Sequence, residues 1–408
     1  MISVEEALTK VLALAAPPAS ETVPLIAAAG RVLLADAIAR RDQPPFAASA
    51  MDGYALCPGA DGAQAGATFE VIGEAGAGHG FDGQLSPGEA LRIFTGAPVP
   101  TGADRVVIQE NTERDGDRIR LTRTVEENAN IRPQGIDFKS GDRLTAPRRL
   151  TPSDVALLAS MNIAEVTVAR RPVVAIIATG DELVMPGEAP RPDQIIASNA
   201  FAIKAMADEA GAEARLLPIA RDTPEALRTV FGLAEGTDLI VTIGGASVGD
   251  HDLVGPVAES LGMDRAFYKI AMRPGKPLMA GRLNGAALVG LPGNPVSSIV
   301  CAHIFILPLL CRMQGMSHVH PPEGRARLSG DLTENGPRAH YMRAQLQPGD
   351  GLPWIAPFGD QDSSLLTVLS RADALLIRPP HDLARNAGEE VRFLSLHGTA
   401  VDTYPEQG

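Results

Sequence analysis

Short apolar runs that alternate with helical patterns between residues 171 and 320 constrain the fold of this chain more than any other feature. Residues 173–178, 239–243 and 286–291 are almost wholly apolar, and segments with helical periodicity separate them. Strands without polar alternation are typical of a parallel sheet that helices cover on both faces. The sequence therefore predicts a central parallel-sheet α/β domain over residues 171–320.

The rest of the chain predicts smaller units around this domain. Ser3 and Glu6 have the spacing of a capping box, and Thr151-Pro152 begins a second helical pattern. Between them, short β patterns broken by glycine and proline indicate an inserted domain. We expect an α/β plus β chain of four domains. These are a helical and extended dimerisation domain of residues 1–43 and 139–170, a small inserted β domain over 44–138, the α/β domain over 171–320, and a C-terminal β domain over 321–408.

The composition excludes several classes of protein. The chain has 36 basic and 49 acidic residues, a net charge of −13, whereas nonspecific nucleic-acid binding needs a basic surface. The apolar run 296–310 is interrupted by His303 and Pro308 and is too short to span a bilayer, and the acidic N-terminus does not resemble a signal peptide. The three cysteines have no CxxC spacing, so we expect free thiols. We expect a soluble cytoplasmic protein that binds neither nucleic acid nor a membrane.

Unusual polar residues follow the predicted strands of the α/β domain. The first strand ends in residues 179–182, the second leads to Asp222, and the third runs into a glycine-rich stretch that begins at Gly244. A later strand leads to residues 269–277, and the last one to residues 292–294. Because parallel strands present their carboxyl ends at one edge of a sheet, these five turns are expected to converge on one crevice.

The residues in these turns suit an oxyanion together with a divalent cation. Glycines at 244, 245 and 249 allow backbone N–H groups to approach an anion. The cations are Lys269, Arg273 and Lys276, and the carboxylates are Asp181, Glu182, Asp222, Asp250 and Asp252. Phosphate-binding groups next to several carboxylates indicate a bridging Mg²⁺. Each feature alone has an ordinary alternative, a tight turn or surface charge, and only the shared position at strand ends favours a site.

Two common nucleotide-binding motifs do not apply to this chain. It contains no GxxxxGK[ST], and a letter match to GxGxxG at residues 78–83 lies in the predicted β domain with no helix after it. A dehydrogenase and a P-loop NTPase are therefore disfavoured. The β domain instead contains SAMDGYA at 49–55, IFTGAPVPTGAD at 93–104 and RPQGIDFKSGD at 132–142, for each of which hairpin turns are the alternative.

Seven motifs, in the order in which they occur, resemble those of the molybdopterin molybdenumtransferase family, which includes the bacterial MoeA type and the gephyrin E domain. They are SAMDGYA, IFTGAPVP, RPQGIDF, ATGDEL, IGGASVGDHD, RPGKP and GLPGNPVSS, and together they extend over nearly the whole chain. The resemblance implies an elongated homodimer in which the β domain of one subunit faces the α/β domain of the other. It also implies a Mg²⁺-dependent insertion of molybdate into adenylyl-molybdopterin, with release of AMP, to give molybdenum cofactor.

The resemblance assigns roles to residues at matching positions. The functional acids and hydroxyl are Asp52, Thr95, Asp137, Glu182, Asp222 and Asp252, of which Glu182, Asp222 and Asp252 are the metal ligands. The substrate-binding residues are Thr179, Gly180, Asp181, Ser198, Asn199, Gly244, Gly245, Ser247, Gly249, Lys269, Arg273, Lys276, Pro292, Gly293, Asn294, Arg343 and Ser364. Two departures from the family pattern are Ala246, where a β-branched residue is common, and Arg273, where lysine is common. Both are expected only to tune affinity.

Two alternative functions stay open. The α/β domain alone resembles a molybdopterin adenylyltransferase that uses ATP. The second alternative is a non-enzymatic dimeric scaffold, a role that the gephyrin E domain serves by dimerising and holding peptides. The additional β domains and SAMDGYA argue against the first alternative, and the full set of acids and cations argues against the second. The expected ligands are adenylyl-molybdopterin and molybdate. Candidate protein partners are molybdopterin adenylyltransferase and molybdoenzyme maturation proteins.

Overall fold

The computed structural model describes residues 1–245, 253–317, 319 and 323–396 of the chain. Its central feature is a six-stranded sheet. In spatial order, the strands are Glu213–Leu216, Val173–Ala178, Leu239–Ile243, Ala286–Leu291, Met279–Leu283 and Asp264–Tyr268. The first four are parallel, as the sequence predicts.

The last two strands of this sheet depart from the parallel pairing that the sequence predicts. Met279–Leu283 is antiparallel to both of its neighbours. Its connection to the next strand is the two-residue turn Asn284-Gly285, where both residues have positive φ values of 50° and 88°. Asn-Gly favours this conformation and closes a tight hairpin, which only antiparallel strands can share. The sheet is therefore mixed.

Helices cover both faces of this sheet because side chains alternate along each strand. In Leu239–Ile243 the odd-numbered residues pack on one face, and Ile240 packs on the other. The first face is covered by helices Val4–Leu12 and Ser198–Glu209 and by the helical run Pro295–Met313. The second is covered by helices Pro224–Leu233 and Val254–Ser260.

The helical run Pro295–Met313 corrects the prediction that this apolar segment is too short to cross a bilayer. It is a continuous helix of 19 residues, and among the described helices it alone has the length and hydropathy of a membrane span. A π-helical turn, Ala302–Ile306, lies between Pro295–Cys301 and Leu307–Met313. It directly precedes the turn of Pro308, which has no N–H to donate, so the wider turn adjusts the hydrogen-bond ladder there. Because 78% of the run is buried inside the protein, it is a core helix of the α/β domain.

The N-terminal unit combines segments from both sides of the inserted domain. Its four-stranded sheet has the order Ser20–Pro24, Glu165–Ala169, Val32–Leu33 and Arg148–Arg149, and a separate pair joins Ala37–Ile38 to Arg143–Leu144. Helix Pro152–Ser160 begins with a complete capping box between Thr151 and Asp154. At Val4–Leu12 the Ser3 hydroxyl accepts a hydrogen bond from the Glu6 N–H. Both predicted helix starts are confirmed.

The inserted unit and the C-terminal unit are both β structures. The inserted sheet has the order Arg105–Ile108, Gly53–Cys57, Glu89–Ile93, Thr68–Ala75, Arg118–Leu121 and Thr112–Asp115, with a separate pair of Ala48–Ser49 and Ile131–Arg132. The C-terminal sheet has the order Ala339–Gln347, Trp354–Pro357, Glu323–Leu328, Glu390–Ser395 and Ala374–Arg378, and the last strand pairs again with the first, which closes a small barrel. The short helix Leu366–Leu369 precedes its last two strands in the chain.

One strand crosses from the α/β unit into the barrel sheet. Met272–Arg273 pairs in parallel with Ala339 and His340 of the barrel. These two units are thus linked by hydrogen bonds as well as by the chain. The exact domain boundaries stay predictions. The three cysteines are free, and Cys301 and Cys311 are buried.

Candidate active site

A crevice of about 710 Å³ opens at the carboxyl edge of the central sheet. Its lining includes residues from the ends of three parallel strands, together with one residue of the barrel, Ser364. The polar and glycine residues that line it are Thr179, Gly180, Glu182, Ser198, Asn199, Asp222, Gly244, Gly245, Gly293, Asn294 and Ser364. The prediction that the strand ends converge therefore agrees with the structure for the turns after residues 178, 243 and 291, and Asp222, further along the chain from strand Glu213–Leu216, lines the same crevice.

The turn at Gly244-Gly245 has a geometry that requires glycine. Both residues have positive φ, 95° and 61°. A Cβ on Gly244 would lie 2.7 Å from the Thr179 carbonyl oxygen, and one on Gly245 would lie 2.3 Å from a methyl carbon of Val254. The backbone here is packed closely enough that only hydrogen fits. The Gly244 N–H donates to the Leu291 carbonyl at 3.1 Å, so the Gly245 N–H is the one that this turn can offer to the crevice. The rest of the glycine-rich stretch lies outside the described residues. It includes the predicted site residues Ser247, Gly249 and Asp252 and the unassigned His251.

Gly180, which also lines the crevice, is a second position where the backbone requires glycine. Its φ is 147°, and a Cβ there would lie 2.5 Å from a carboxylate oxygen of Glu182. The turn therefore places the Glu182 carboxylate against the backbone of Gly180. Asp181 lies between these two residues and is exposed. Its oxygens accept hydrogen bonds from neighbouring residues: the backbone carbonyl accepts from the Arg221 guanidinium, and the carboxylate accepts from the Asp222 N–H at 3.3 Å.

Two carboxylates, those of Glu182 and Asp222, line the crevice. The described part of the chain contains no cluster of three or more His, Cys, Asp or Glu side chains that would hold a metal by themselves. Mg²⁺ is usually held by one or two carboxylates, with waters and substrate phosphates as the other ligands. The donor set of the crevice therefore fits Mg²⁺ bound together with a phosphate, and it does not fit an all-protein metal cage.

Ser198 and Asn199 lie at the start of helix Ser198–Glu209 and not before it. Ser and Asn are favoured N-cap residues, but here Ala197 is the N-cap residue and no side chain caps the end. The Asn199 side-chain amide instead donates to the Gly293 carbonyl at 2.7 Å. This bond ties the helix start to the turn of the last parallel strand. The free N–H groups of the helix end favour an anion in the crevice.

The barrel reaches the crevice through the loop of residues 360–365. The Asn294 side-chain amide donates to the Ser363 hydroxyl at 3.0 Å, and the Val296 N–H donates to the Ser363 carbonyl at 3.1 Å. Ser364 donates both its N–H and its hydroxyl to Asp362, at 2.8 and 2.6 Å. These two bonds, the hydroxyl bond first, lower the pKa of the Asp362 carboxyl. Sequence patterns gave no signal for Ser363 or Asp362, because their roles depend on contacts between units.

Arg343 lies behind this loop and is 1% exposed. Its guanidinium donates to the Gln361 side-chain oxygen at 3.3 Å, to the Leu365 carbonyl at 3.3 Å and to the Asp360 carbonyl at 3.4 Å. It does not line the crevice. In the described structure Arg343 therefore supports the loop that presents Ser364, whereas the sequence predicts direct contact with an anion.

The three predicted cations lie on the loop between Tyr268 and Met279, and none of them lines the crevice, although Pro277 does. Lys269 has a positive φ of 69°, and its ammonium lies 4.8 Å from the centre of the Tyr268 ring. Arg273 and Lys276 are exposed. Between them, Gly275 packs so closely that a Cβ would lie 2.4 Å from the Cys301 sulfur. The loop is fixed at Gly275, and Pro277 is its point of contact with the crevice.

An apolar wall of the crevice was not predicted from the sequence. Ile195 and Ile196 line it and are 59% and 38% exposed. They form a short parallel pair with Leu183–Val184, next to Glu182. Two adjacent isoleucines before a helix give no special signal in a sequence, and only their exposure identifies them as a surface for a ligand.

The predicted residues of the inserted unit lie away from this crevice, since no residue of 44–138 lines it. Asp52 is exposed, and one of its oxygens accepts two hydrogen bonds from Thr95. These bonds, the backbone bond first, lower the pKa of the Asp52 carboxyl. Asp137 lies in a separate cavity with Arg132. Within one chain, the acids of the inserted unit and those of the crevice are therefore two separate groups.

Family models match most of the chain. Residues 2–162 match the MoeA N-terminal region (domain I and II), residues 175–312 match a probable molybdopterin binding domain, and residues 325–396 match the MoeA C-terminal region (domain IV).

Curated relatives and solved structures agree with these matches. A molybdopterin molybdenumtransferase of Bacillus subtilis is 35% identical over 99% of this chain and 96% of its own length, and one of Nostoc sp. is 34% identical over 92% and 89%. The crystal structure of a molybdopterin biosynthesis MoeA protein from Pyrococcus horikosii superimposes with a TM-score of 0.82 at 31% identity, over 98% of this chain and 100% of that one. The chain therefore belongs to the molybdopterin molybdenumtransferase family.

Proposed function

We propose that this chain inserts molybdate into adenylyl-molybdopterin and releases AMP, as a transferase in molybdenum cofactor synthesis. The observation that supports this most directly is the crevice at the carboxyl edge of the sheet. It combines an open glycine turn, a helix N-terminus and the Ser364 hydroxyl with the carboxylates of Glu182 and Asp222. Such a set suits a substrate that has both a phosphoanhydride and a flat ring system.

The residues of the crevice have separable roles in this proposal. The Gly245 N–H and the start of helix Ser198–Glu209 bind phosphate oxygens through backbone N–H groups. Exposed Ile195 and Ile196 provide an apolar surface for a ring of the substrate. Lys269, Arg273 and Lys276 attract the dianion molybdate towards the opening. Glu182 and Asp222, together with the predicted third acid Asp252, would orient water and hold a divalent metal ion.

Mg²⁺ is proposed as the divalent cation of this site. Glu182 and Asp222 would hold it, and it would neutralise negative charge on the phosphates when the bond to AMP breaks. Activity is therefore expected to disappear after chelation and to return with Mg²⁺. Loss without recovery would contradict this assignment.

We also propose a homodimer in which the inserted unit of each subunit completes the crevice of the other. The separation of Asp52, Thr95 and Asp137 from the crevice of their own chain supports this arrangement. Mixing an Asp52→Asn chain with a Glu182→Gln chain tests it, because a mixed dimer would contain one intact site. Random pairing predicts recovery of about a quarter of wild-type activity. If the mixture of the two variants shows no activity, the active site is not shared between subunits.

We also propose that the dimer is located in the cytoplasm.

The proposed reaction is tested by turnover with defined substrates. Purified protein, adenylyl-molybdopterin and molybdate should yield AMP in amounts that match the molybdate inserted, and omission of molybdate should abolish coupled release. ATP consumption with pyrophosphate release from molybdopterin would favour the adenylyltransferase alternative. No turnover of either substrate by a correctly folded dimer would favour the scaffold. Glu182→Gln, which keeps the shape of the side chain, serves as the inactive control.

A further inference from the structure

A second cavity of about 670 Å³ lies where the inserted unit joins the N-terminal unit. Its walls are the loop of residues 41–46, the strand pair Ala48–Ser49 with Ile131–Arg132, and the end of helix Pro152–Ser160. The lining residues are Arg41, Gln43, Pro44, Pro45, Phe46, Ala48, Gly96, Arg132, Ile136, Asp137, Ala159, Ser160 and Asn162. None of them belongs to the crevice of the α/β unit, so this is a separate space within one chain.

Two guanidinium groups in this cavity have no protein partner. Within residues 1–245 and the other described ranges, the side chains of Arg41 and Arg132 make no hydrogen bond or ion pair. In the same units, the more buried Arg105 and Arg31 are engaged with Asp104 and with the Ala169 carbonyl. Arg41 and Arg132 are exposed, as are Arg40 and Arg118, whose side chains also make no hydrogen bond or ion pair within the described ranges. An arginine offers five N–H donors in a planar fork that matches the oxygens of a tetrahedral oxyanion. Two such forks without partners on one cavity favour an anionic ligand.

The charge balance of the cavity points the same way. Its charged lining residues are Arg41, Arg132 and Asp137, so cations exceed carboxylates. Phe46 and Ile136 contribute apolar surface and are 37% and 62% exposed. Apolar surface next to a guanidinium lowers the local dielectric and strengthens its attraction to an anion.

The cavity shares a wall with the Asp52–Thr95 pair. Gly96 follows Thr95 in the chain, lines the cavity and donates its N–H to the Ser49 carbonyl at 2.8 Å. Ser49 in turn belongs to the strand that pairs with Ile131–Arg132. The unpaired Arg132 is thus attached through one strand pair to the segment that holds Asp52.

We propose that Arg41 and Arg132 form a subsite for a tetrahedral oxyanion in this cavity. The ligand is free molybdate or a phosphate group of the pterin substrate, which have the same shape and charge type. The assignment of these two sources rests on the proposed function. The existence of an oxyanion subsite rests only on the cavity, its charge and its unpaired arginines.

Binding of simple anions to the full-length protein tests the subsite directly. Molybdate and inorganic phosphate are titrated separately by calorimetry into wild type, Arg41→Gln and Arg132→Gln. Removal of one charge-assisted hydrogen-bonding group is expected to raise the Kd of the bound anion about tenfold. Arg40→Gln is the matched control, because Arg40 is the adjacent arginine and lines a different cavity. Arg41→Lys and Arg132→Lys keep the charge and should recover part of the affinity.

Kinetics with each substrate varied in turn separate the two sources. If the subsite holds molybdate, the variants raise the KM for molybdate and leave the KM for adenylyl-molybdopterin unchanged. If it holds the substrate phosphate, the reverse is expected. Wild-type affinity of both Gln variants for both anions, with both KM values unchanged, would overturn the subsite. Tenfold weaker anion binding by the variants, in a wild type that releases no AMP, would support the subsite and reject the proposed function.

Discussion

Thr95 donates both its backbone N–H and its hydroxyl to one carboxylate oxygen of Asp52, each at 2.8 Å. Asp52 is exposed, so burial does not fix its position. The two bonds orient the carboxylate and lower its pKa by stabilising its charged form. A carboxylate that is held ionised and leaves its second oxygen open is suited to act on a ligand that approaches from another surface.

Replacement of Thr95 by valine removes the hydroxyl bond and keeps the backbone bond. The pKa of Asp52 should rise towards its ordinary value, so protonation begins at a higher pH as the solution is acidified. The acid limb of the pH–rate profile should therefore move to higher pH, with little change in Tm because the site is exposed. Thr101→Val, at another exposed threonine, is the control and should leave the profile unchanged. Superimposable profiles for Thr95→Val and wild type would contradict a role for ionised Asp52.

Arg92 supports the same turn from the other side. Its guanidinium lies 5.1 Å from the Tyr54 ring centre and 4.8 Å from that of Phe94. It donates to the Gly53 carbonyl at 3.2 Å and to the Gln109 side-chain oxygen at 2.7 Å. Gln109 in turn donates its backbone N–H to the carbonyl of Asp52, the residue before Gly53, at 3.1 Å. Arg92 therefore holds the backbone that presents Asp52, and its charge adds to the lowering of the Asp52 pKa.

We expect Arg92→Met to lower kcat about tenfold or more, because even a small displacement of a reacting group slows the reaction strongly. The acid limb should shift to higher pH as it does for Thr95→Val. Arg92→Lys keeps the charge but loses the planar fork, so it should restore the pH profile better than it restores kcat. Equal values of kcat for the three proteins would show that Arg92 is only a packing residue.

Much of the fold and part of the candidate site follow from local patterns in the sequence. Thr179, Glu182, Asp222 and Gly244 lie in one crevice because each follows a parallel strand, and strand direction is encoded by the alternation of apolar strands and helices. Their catalytic and binding roles stay predictions. The mixed sheet was also accessible, since Asn284-Gly285 is a hairpin turn pair, but an apolar run by itself carries no strand direction.

Other features depend on pairings that no local pattern contains. Asp52 and Thr95 meet across 43 residues of sequence. Arg343 is buried against Gln361 because of barrel closure, and its sequence neighbourhood gives no sign of this. Arg273 pairs with a barrel strand, which directs its loop past the crevice and not into it. Long-range contacts of this kind decide where a charged side chain lies.

Gly245→Ala should damage the crevice more than its stability loss alone suggests. The added methyl group meets Val254 at 2.3 Å, and the φ of 61° is unfavourable for alanine. Gly187→Ala is the matched control, because Gly187 also has a positive φ, 94°, but nothing lies within 4 Å of its Cβ. The control should lose about 1 kcal/mol of unfolding free energy from backbone strain and keep its KM. Gly245→Ala should lose more and raise the KM for the adenylate, and identical behaviour of the two variants would refute a close-packed phosphate turn.

Arg343→Met tests whether this residue supports a loop or binds an anion. If it supports the loop, chemical denaturation should show a loss of about 3 kcal/mol, since several partly buried acceptors lose their donor at once. Arg325→Met is the control, because Arg325 is an exposed barrel arginine whose ion pair with Glu390 should contribute less than about 1 kcal/mol. An unchanged stability with a raised KM for molybdate would instead favour the direct anion contact that the sequence predicts.

His340 should make the stability of the barrel depend on pH. It is 8% exposed, and its pKa is lowered to about 4, first by burial and then by the nearby charges of Arg273, Arg378, Arg338 and Arg343. An unfolded histidine binds a proton near pH 6.5, so the unfolded state takes up more protons than the native state between pH 6.5 and 4. The free energy of unfolding should therefore fall as the pH falls through this window, by at most about 3 kcal/mol.

The variant His340→Phe should flatten this pH dependence because it fills the site without a titratable group. His79→Gln, at an exposed histidine of the inserted unit, is the control and should keep the wild-type slope. Urea unfolding at pH 7, 6, 5 and 4.5 measures the difference. If His340→Phe and wild type lose stability in parallel over this range, then the carboxylates and not His340 cause the loss.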